Sequence, residues 1–263
     1  MKAEYKTRKT ELDKLFCEIG IVPVIVLSKA SQAEPLGEAL LAGGLPVAEI
    51  TFRSDAALEG IRIMVKRYPQ MMIGAGTVLS VEQAKAALGA GASFLVAPGF
   101  NPKVVDYCIE NNIIIYPGIS GTGDIEQALS RGLDVLKFFP AEALGGVAML
   151  KALSGPYQSL KFIPTGGVDL TNIHNYLALP QVIACGGSWL VSKLALSSGN
   201  YAEITDTIRE SLREIYGCTV TGEGIKVNTR YKARTTAYLQ RCGVEFKEGE
   251  QGIEITGKSV ILR

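Results

Sequence analysis

The chain has 263 residues, 47% hydrophobic and 20% charged, with a net charge of +1. That composition fits one large globular domain or a domain with an appendage, and so small a charge gives no general pull toward nucleic acid or an anionic membrane. The five cysteines are scattered without a C-x-x-C pair, so reduced and mostly buried thiols are expected. The single histidine, His174, excludes a site with two His ligands and argues against a Ser-His-Asp triad; a helix-surface or capping role is expected for it.

The first twenty residues, "MKAEYKTRKTELDKLFCEIG", are charged throughout and predict an N-terminal helix. They lack the apolar core of a signal peptide, and the following run "IGIVPVIVL" is too short to span a bilayer, so a cytoplasmic protein with no membrane partner is expected. Between Ile21 and Tyr216 a strand–helix rhythm repeats. The β-rich runs are "IVPVIVL", "VAEITFR", "MMIGAGTV", "FLVAPG", "IIIYPGIS", "VLKFFP", "KFIPTGG" and "VIACGGSWL". Helical patterns follow at 33–43, 55–68, 81–90, 101–111, 123–131, 147–154, 171–178 and 200–215. Ser54 or Asp55, Ser80, Asn101 and Asp169 to Thr171 are suited to N-caps, and "ALLAGG", "ALGAGA" and "LSRG" to glycine helix ends. Eight such units predict a (β/α)8 TIM barrel over residues 1–217. An open doubly wound sheet is weaker, because no G-x-G-x-x-G opens the first unit. Residues 218–263 change character. They carry eight Lys+Arg against five Asp+Glu and read as a small βαββ extension, too short to be stable alone and expected to pack on the barrel or on another subunit.

The chemistry gathers at the C-terminal ends of the predicted strands, the active face of such a barrel. "VLKFFP" places Lys137 inside an otherwise apolar strand. A buried ammonium is costly unless it is paired or gives up its proton. In the second strand Glu49, Thr51 and Arg53 alternate onto one face. A Glu–Lys–Arg network that only satisfies its own charges is one reading. The other is catalytic. A neutral lysine amine attacks a ketone and forms a Schiff base, Glu49 moves protons, and Arg53 supplies positive charge and a bidentate carboxylate clamp. Thr77, ending "GAGT", either donates to that carboxylate or caps the next helix. Thr165-Gly166-Gly167 and Gly186-Gly187-Ser188 close the last two strands, where barrels hold phosphate on backbone amides; tight packing explains such glycines equally well. Together these residues suit a ketoacid that bears a phosphate. An imine supplies the electron sink for C–C cleavage without a metal or cofactor.

"EITFRSDAA", "GAGTVL", "APGF", "PGIS", "KFFPAE", "PTGGV" and "GGSWL" resemble, in order, the motifs of the 2-keto-3-deoxy-6-phosphogluconate (KDPG) aldolases, many of which also cleave 4-hydroxy-2-oxoglutarate. The resemblance covers about residues 15–217. It implies a class I aldolase, an aldehyde-lyase on a (β/α)8 barrel, usually a homotrimer, releasing pyruvate and glyceraldehyde 3-phosphate or glyoxylate. By the same resemblance Lys137 is the Schiff-base lysine, Glu49 the acid/base, and Arg53 and Thr77 the carboxylate ligands. Thr165, Gly166, Gly167, Gly186, Gly187 and Ser188 surround the distal end of the substrate, and Pro98 and Phe139 shape the pocket. Phe52, Ser54 and "APGF" depart from the commoner pattern, whereas Arg53 favours the gluconate or hydroxyoxoglutarate branch over galactonate-type relatives. The tail looks like a shortened glyoxalase-like module and contains no histidine, so no metal site is carried over. A non-covalent sugar-phosphate isomerase or lyase and a catalytically silent binding protein stay open as alternatives.

Overall fold

The computed structural model describes residues 3–221, 224–227, 229, 231–241, 243–249 and 252–255. It opens with α1 (Ala3–Ile19), which buries Leu12, Leu15, Phe16 and Ile19. There follow β1 (Ile21–Ile25), α2 (Ala33–Ala42), β2 (Val47–Thr51), α3 (Ala56–Arg67), β3 (Met72–Gly76), α4 (Val81–Gly89), β4 (Phe94–Val96), α5 (Pro102–Glu110), β5 (Ile115–Tyr116) and β6 (Gly118–Ile119). Next come α6 (Thr122–Ser130), β7 (Val135–Phe138), α7 (Gly146–Ser154), β8 (Lys161–Pro164), α8 (Ile173–Leu177), β9 (Cys185–Gly187), α9 (Lys193–Ser198) and α10 (Tyr201–Tyr216). The eight predicted helices fall within two residues of observed ones. The short α9, capped by Ser192, was not anticipated.

Two of the four cap expectations hold; Asp55 heads α3 without a side-chain cap bond, and Asn172, one residue past the expected Asp169–Thr171, stands at the N-cap of α8. The Ser80 hydroxyl accepts from the Gln83 N–H, and Asn101 from that of Lys103. Gly44, Gly91 and Gly132 end helical segments with φ of +93°, +93° and +72°, a region that disfavours side chains. β1 and β2 are buried at every position because helices cover one face and the interior the other.

All nine of these strands are parallel, in a curled sheet. Regular pairing runs as β5-β4-β3-β2-β1-β9 and, separately, β6-β7-β8. Two isolated parallel bridges, Phe162–Val182 and Thr165–Gly186, join the flank of β8 to that of β9. The sheet is thus a half-barrel and a smaller companion, where the sequence led us to expect an unbroken ring. The expected fifth strand divides at Pro117, which has no N–H to continue a ladder. Its first half pairs with β4 and its second with β7.

The tail carries β10 (Cys218–Thr221), β11 (Gly224–Val227), α11 (Lys232–Arg241), β12 (Phe246–Gly249) and β13 (Gly252–Ile255), in an antiparallel sheet ordered β10-β11-β13-β12. This corrects the expected βαββ to ββαββ. The extra strand is "CTVT", whose three β-branched residues favour extended backbone. Residues 256–263 of the last expected strand lie outside the described residues, as does Cys242. Val227, Leu239 and Ile253 form a small core of their own.

α11 docks on the N-terminal ends of the parallel strands. Arg234 donates to the Ile183 carbonyl (3.1 Å), Tyr238 to that of Gly44 (3.2 Å), and Arg241 pairs with the buried Glu18 (2.5 Å). Tyr238 stacks on Tyr216 with ring centroids 4.5 Å apart. His174, expected on a helix surface, instead stacks on Tyr231, whose hydroxyl donates to the His174 carbonyl. Of the cysteines whose side chains are described, Cys108 and Cys185 are buried and Cys17 is exposed. No helix among the described residues is long and apolar enough to cross a membrane.

Candidate active site

β2 and β7 carry the reactive pair. Lys137 and Glu49 are each 4% exposed, and the Lys137 Nζ lies 3.4 Å from Glu49 Oε1 and 5.2 Å from the centre of the Phe139 ring. A buried pair of this kind is weak evidence of stability, because desolvation offsets much of its attraction. It is better evidence of a reaction, since an amine and a carboxylate in contact can exchange a proton. Room for the carboxylate is made by Gly76 at the end of β3. A Cβ at that position would stand 2.1 Å from Glu49 Oε1. In "GAGT" the sequence singles out Thr77, and the role of Gly76 emerges only here. A signal was present, since glycines two apart on a strand share a face, and here Gly74 admits Phe94 while Gly76 admits Glu49.

Past Gly76, Thr77 has φ +57°, a left-handed conformation costly for a β-branched residue and characteristic of functional sites. Its hydroxyl is 3.5 Å from Arg53 Nε. The capping alternative falls away, because Ser80 caps α4. Thr51, on the expected face of β2, spends its hydroxyl on the Ile25 carbonyl (2.9 Å).

Above the pair lies a cavity of about 290 Å³. Arg53, Thr77, Pro98, Lys137, Phe139, Thr165, Gly166, Gly167, Gly186 and Ser188 line it, with Val24 and Val168, which the sequence reading did not single out. Glu49 borders the tight space underneath, shared with Lys137, Thr165 and Gly186 and closed below by Phe16, Phe94 and Tyr116. Gly187 is the exception, since its missing side chain leaves room for the Trp189 ring on the other side of β9. Wider clefts of about 610 and 720 Å³ lie elsewhere, and none of the predicted residues line them.

The rim is built for an anion. Gly166 and Gly167 have φ of +95° and +80°. Among the described residues no protein acceptor takes the N–H of Gly167, Val168 or Ser188. Free amides at a glycine turn form an anion cradle. The floor is apolar. Phe16, Phe94 and Tyr116 pack with ring centroids 5.5–6.1 Å apart, and the Tyr116 hydroxyl donates to Asp13 of α1 (2.6 Å). Burial, then the neighbouring Asp13 charge, pushes the Tyr116 hydroxyl well above its ordinary pKa.

A parallel α/β frame with a buried lysine–carboxylate pair under a cavity at its strand ends is the architecture of a barrel-type enzyme site suited to a small carbonyl compound. The family model for KDPG and KHG aldolase matches residues 12–207. The chain belongs to the KDPG and KHG aldolase family. It is 51% identical to the 2-dehydro-3-deoxy-phosphogluconate aldolase of Haemophilus influenzae over 193 residues, 73% of this chain and 91% of that one. With the KHG/KDPG aldolase of Escherichia coli strain K12 it shares 41% over 207 residues, 79% and 97% of the two chains. The KDPG aldolase of Legionella pneumophila, solved with pyruvate captured as a covalent carbinolamine, is similar at TM-score 0.74 and 38% identity, covering 76% of this chain and 97% of that one.

Proposed function

We propose that this protein is a class I aldolase that cleaves 2-keto-3-deoxy-6-phosphogluconate to pyruvate and glyceraldehyde 3-phosphate, 4-hydroxy-2-oxoglutarate to pyruvate and glyoxylate, or both. The observation that carries the reading is the buried Lys137–Glu49 contact opening into a cavity edged by a cation and free amides. The substrate carboxylate lies against Arg53 and Thr77, which leaves the C2 carbonyl over Lys137. The neutral amine adds to C2, and loss of water from the carbinolamine gives an iminium. The C3–C4 bond then breaks, its electrons flow into the iminium, and the C4 hydroxyl proton leaves as the aldehyde forms. The resulting enamine takes a proton on C3, and water releases pyruvate and restores the amine. Glu49, 3.4 Å from the nitrogen, carries the protons of these steps. Pro98 and Phe139 wall the cavity, and the amides of Gly167, Val168 and Ser188 receive the distal end.

The same reading closes the parallel strands into a (β/α)8 barrel, with β5 and β6 as one strand interrupted at Pro117. Residues 1–217 then form the catalytic unit, and 218–263 an extension joined through α11. Homotrimeric assembly follows from the family resemblance, and the cytoplasmic location stays the expectation read from the sequence. The test is chemical. Borohydride added with pyruvate is expected to leave a stable adduct on Lys137, located by mass spectrometry. An adduct elsewhere removes Lys137 from this role, and none replaces the reading with non-covalent sugar-phosphate chemistry.

A further inference from the structure

The glycine turn after β8 is held from behind by groups that the scheme above does not use. The Glu142 side chain lies directly under Gly167, where a Cβ would come within 2.6 Å of Glu142 Cγ. The backbone N–H of Glu142 donates to the Gly166 carbonyl (3.1 Å), and that of Ala141 to the Thr165 carbonyl (2.8 Å). Asn172 Nδ2 donates to the Gly167 carbonyl (2.9 Å), while Asn172 Oδ1 accepts from the Asp169 N–H (3.0 Å). All three loop carbonyls are thus occupied by these supports, and among the described residues the amides of Gly167 and Val168 have no protein acceptor. Glu142 is itself fixed, because the hydroxyl of the buried Tyr176 donates to its Oε1. Burial first, then this bond to a carboxylate, raises the Tyr176 hydroxyl above its ordinary pKa, so it remains a donor.

We propose that Glu142, anchored by Tyr176, and Asn172 are positioning residues that set the anion-cradling shape of the Gly166–Gly167 turn and thereby the preference for a phosphorylated over an unphosphorylated ketoacid. The inference rests on the aldolase reading and deepens it. Two successive glycines in the left-handed region have little stiffness of their own, so the shape comes from the groups that hold them. The Glu142 methylenes provide the floor, and its Oε1 provides the anchor point. A glutamine keeps both; an alanine keeps neither.

The experiment compares cleavage of 2-keto-3-deoxy-6-phosphogluconate and 4-hydroxy-2-oxoglutarate by wild type, Glu142→Ala, Glu142→Gln, Tyr176→Phe and Asn172→Ala. For Glu142→Ala and Asn172→Ala, KM for the phosphorylated substrate is expected to rise about tenfold, in keeping with lost or misaligned hydrogen bonds to a charged group. Their kcat should change less than about threefold, and both constants for the unphosphorylated substrate should hold within about twofold. Tyr176→Phe should rise less, and Glu142→Gln should behave as wild type. Equal losses on both substrates, or no change in the KM ratio, overturn the proposal. Pyruvate trapping on Lys137, run on every variant, separates this failure from that of the aldolase reading, which predicts trapping throughout.

Discussion

The two ends of the parallel sheet are built on opposite terms. At the C-terminal ends polar groups are left available: the amides of Gly167, Val168 and Ser188, the strained Thr77, Arg53, and a lysine beside a carboxylate. At the N-terminal ends the polar groups are occupied and the gaps filled. Lys9 of α1 bridges Asp13 and Asp134 at 2.6 Å each, Tyr116 reaches Asp13, and Arg234, Tyr238 and Arg241 of α11 meet carbonyls or Glu18. One end keeps unspent bonding capacity at some cost in stability, and the other recovers stability by spending it.

Substitutions that hit one end and spare the other break or sharpen the contrast. The largest effect is expected from Lys137→Met, which should lower pyruvate release by about 10³-fold or more. Near-normal turnover would remove the lysine from the chemistry. Next comes Tyr238→Ala. Losing the stack on Tyr216 and the bond to Gly44 should cost about 3 kcal/mol, read from urea unfolding. Its kcat, measured below the transition, should stay within about twofold. A kcat loss as large as the stability loss would join the two ends.

The most gradual effect is set by pH, and its size at any one step is the smallest of the three. Burial raises Cys108 from an ordinary 9.0 to about 12. Between those values the unfolded chain has lost a proton that the folded chain still holds, so this contribution is complete below pH 9 and falls as pH rises toward 12. Lys9 works in the same sense. Burial alone would lower it, but its bonds to Asp13 and Asp134 outweigh that and raise it. Stability should therefore fall across this window by up to about 1.4 kcal/mol per pH unit for Cys108, with Lys9 adding in the same direction only above its ordinary 10.5, and Cys108→Ala should flatten the slope.

Period and punctuation made most of the frame legible. The helices are marked by caps and terminal glycines, and the strands by apolar runs. The lysine was visible because it stands alone in such a run, and Arg53 because alternation puts it on the face of Glu49. What escaped reading depends on contacts between distant residues. The space at Gly76 has meaning only once Glu49 of a neighbouring strand fills it. The support that Tyr176 gives Glu142 spans 34 positions. The break at Pro117 was written in the sequence, but a run of isoleucines on one side masked it. Gly186 and Gly187 look alike locally, although strand alternation alone separates one that faces the cavity from one that faces Trp189.

The aromatic floor has a consequence for traffic. Among the described residues Phe16, Phe94 and Tyr116 shut the underside of Lys137, so the amine faces the cavity above it. On the proposed scheme the aldehyde departs first past the rim, while the three-carbon piece stays tethered until water cuts it loose. The order of exit is then written into the covalent chemistry and the walls together.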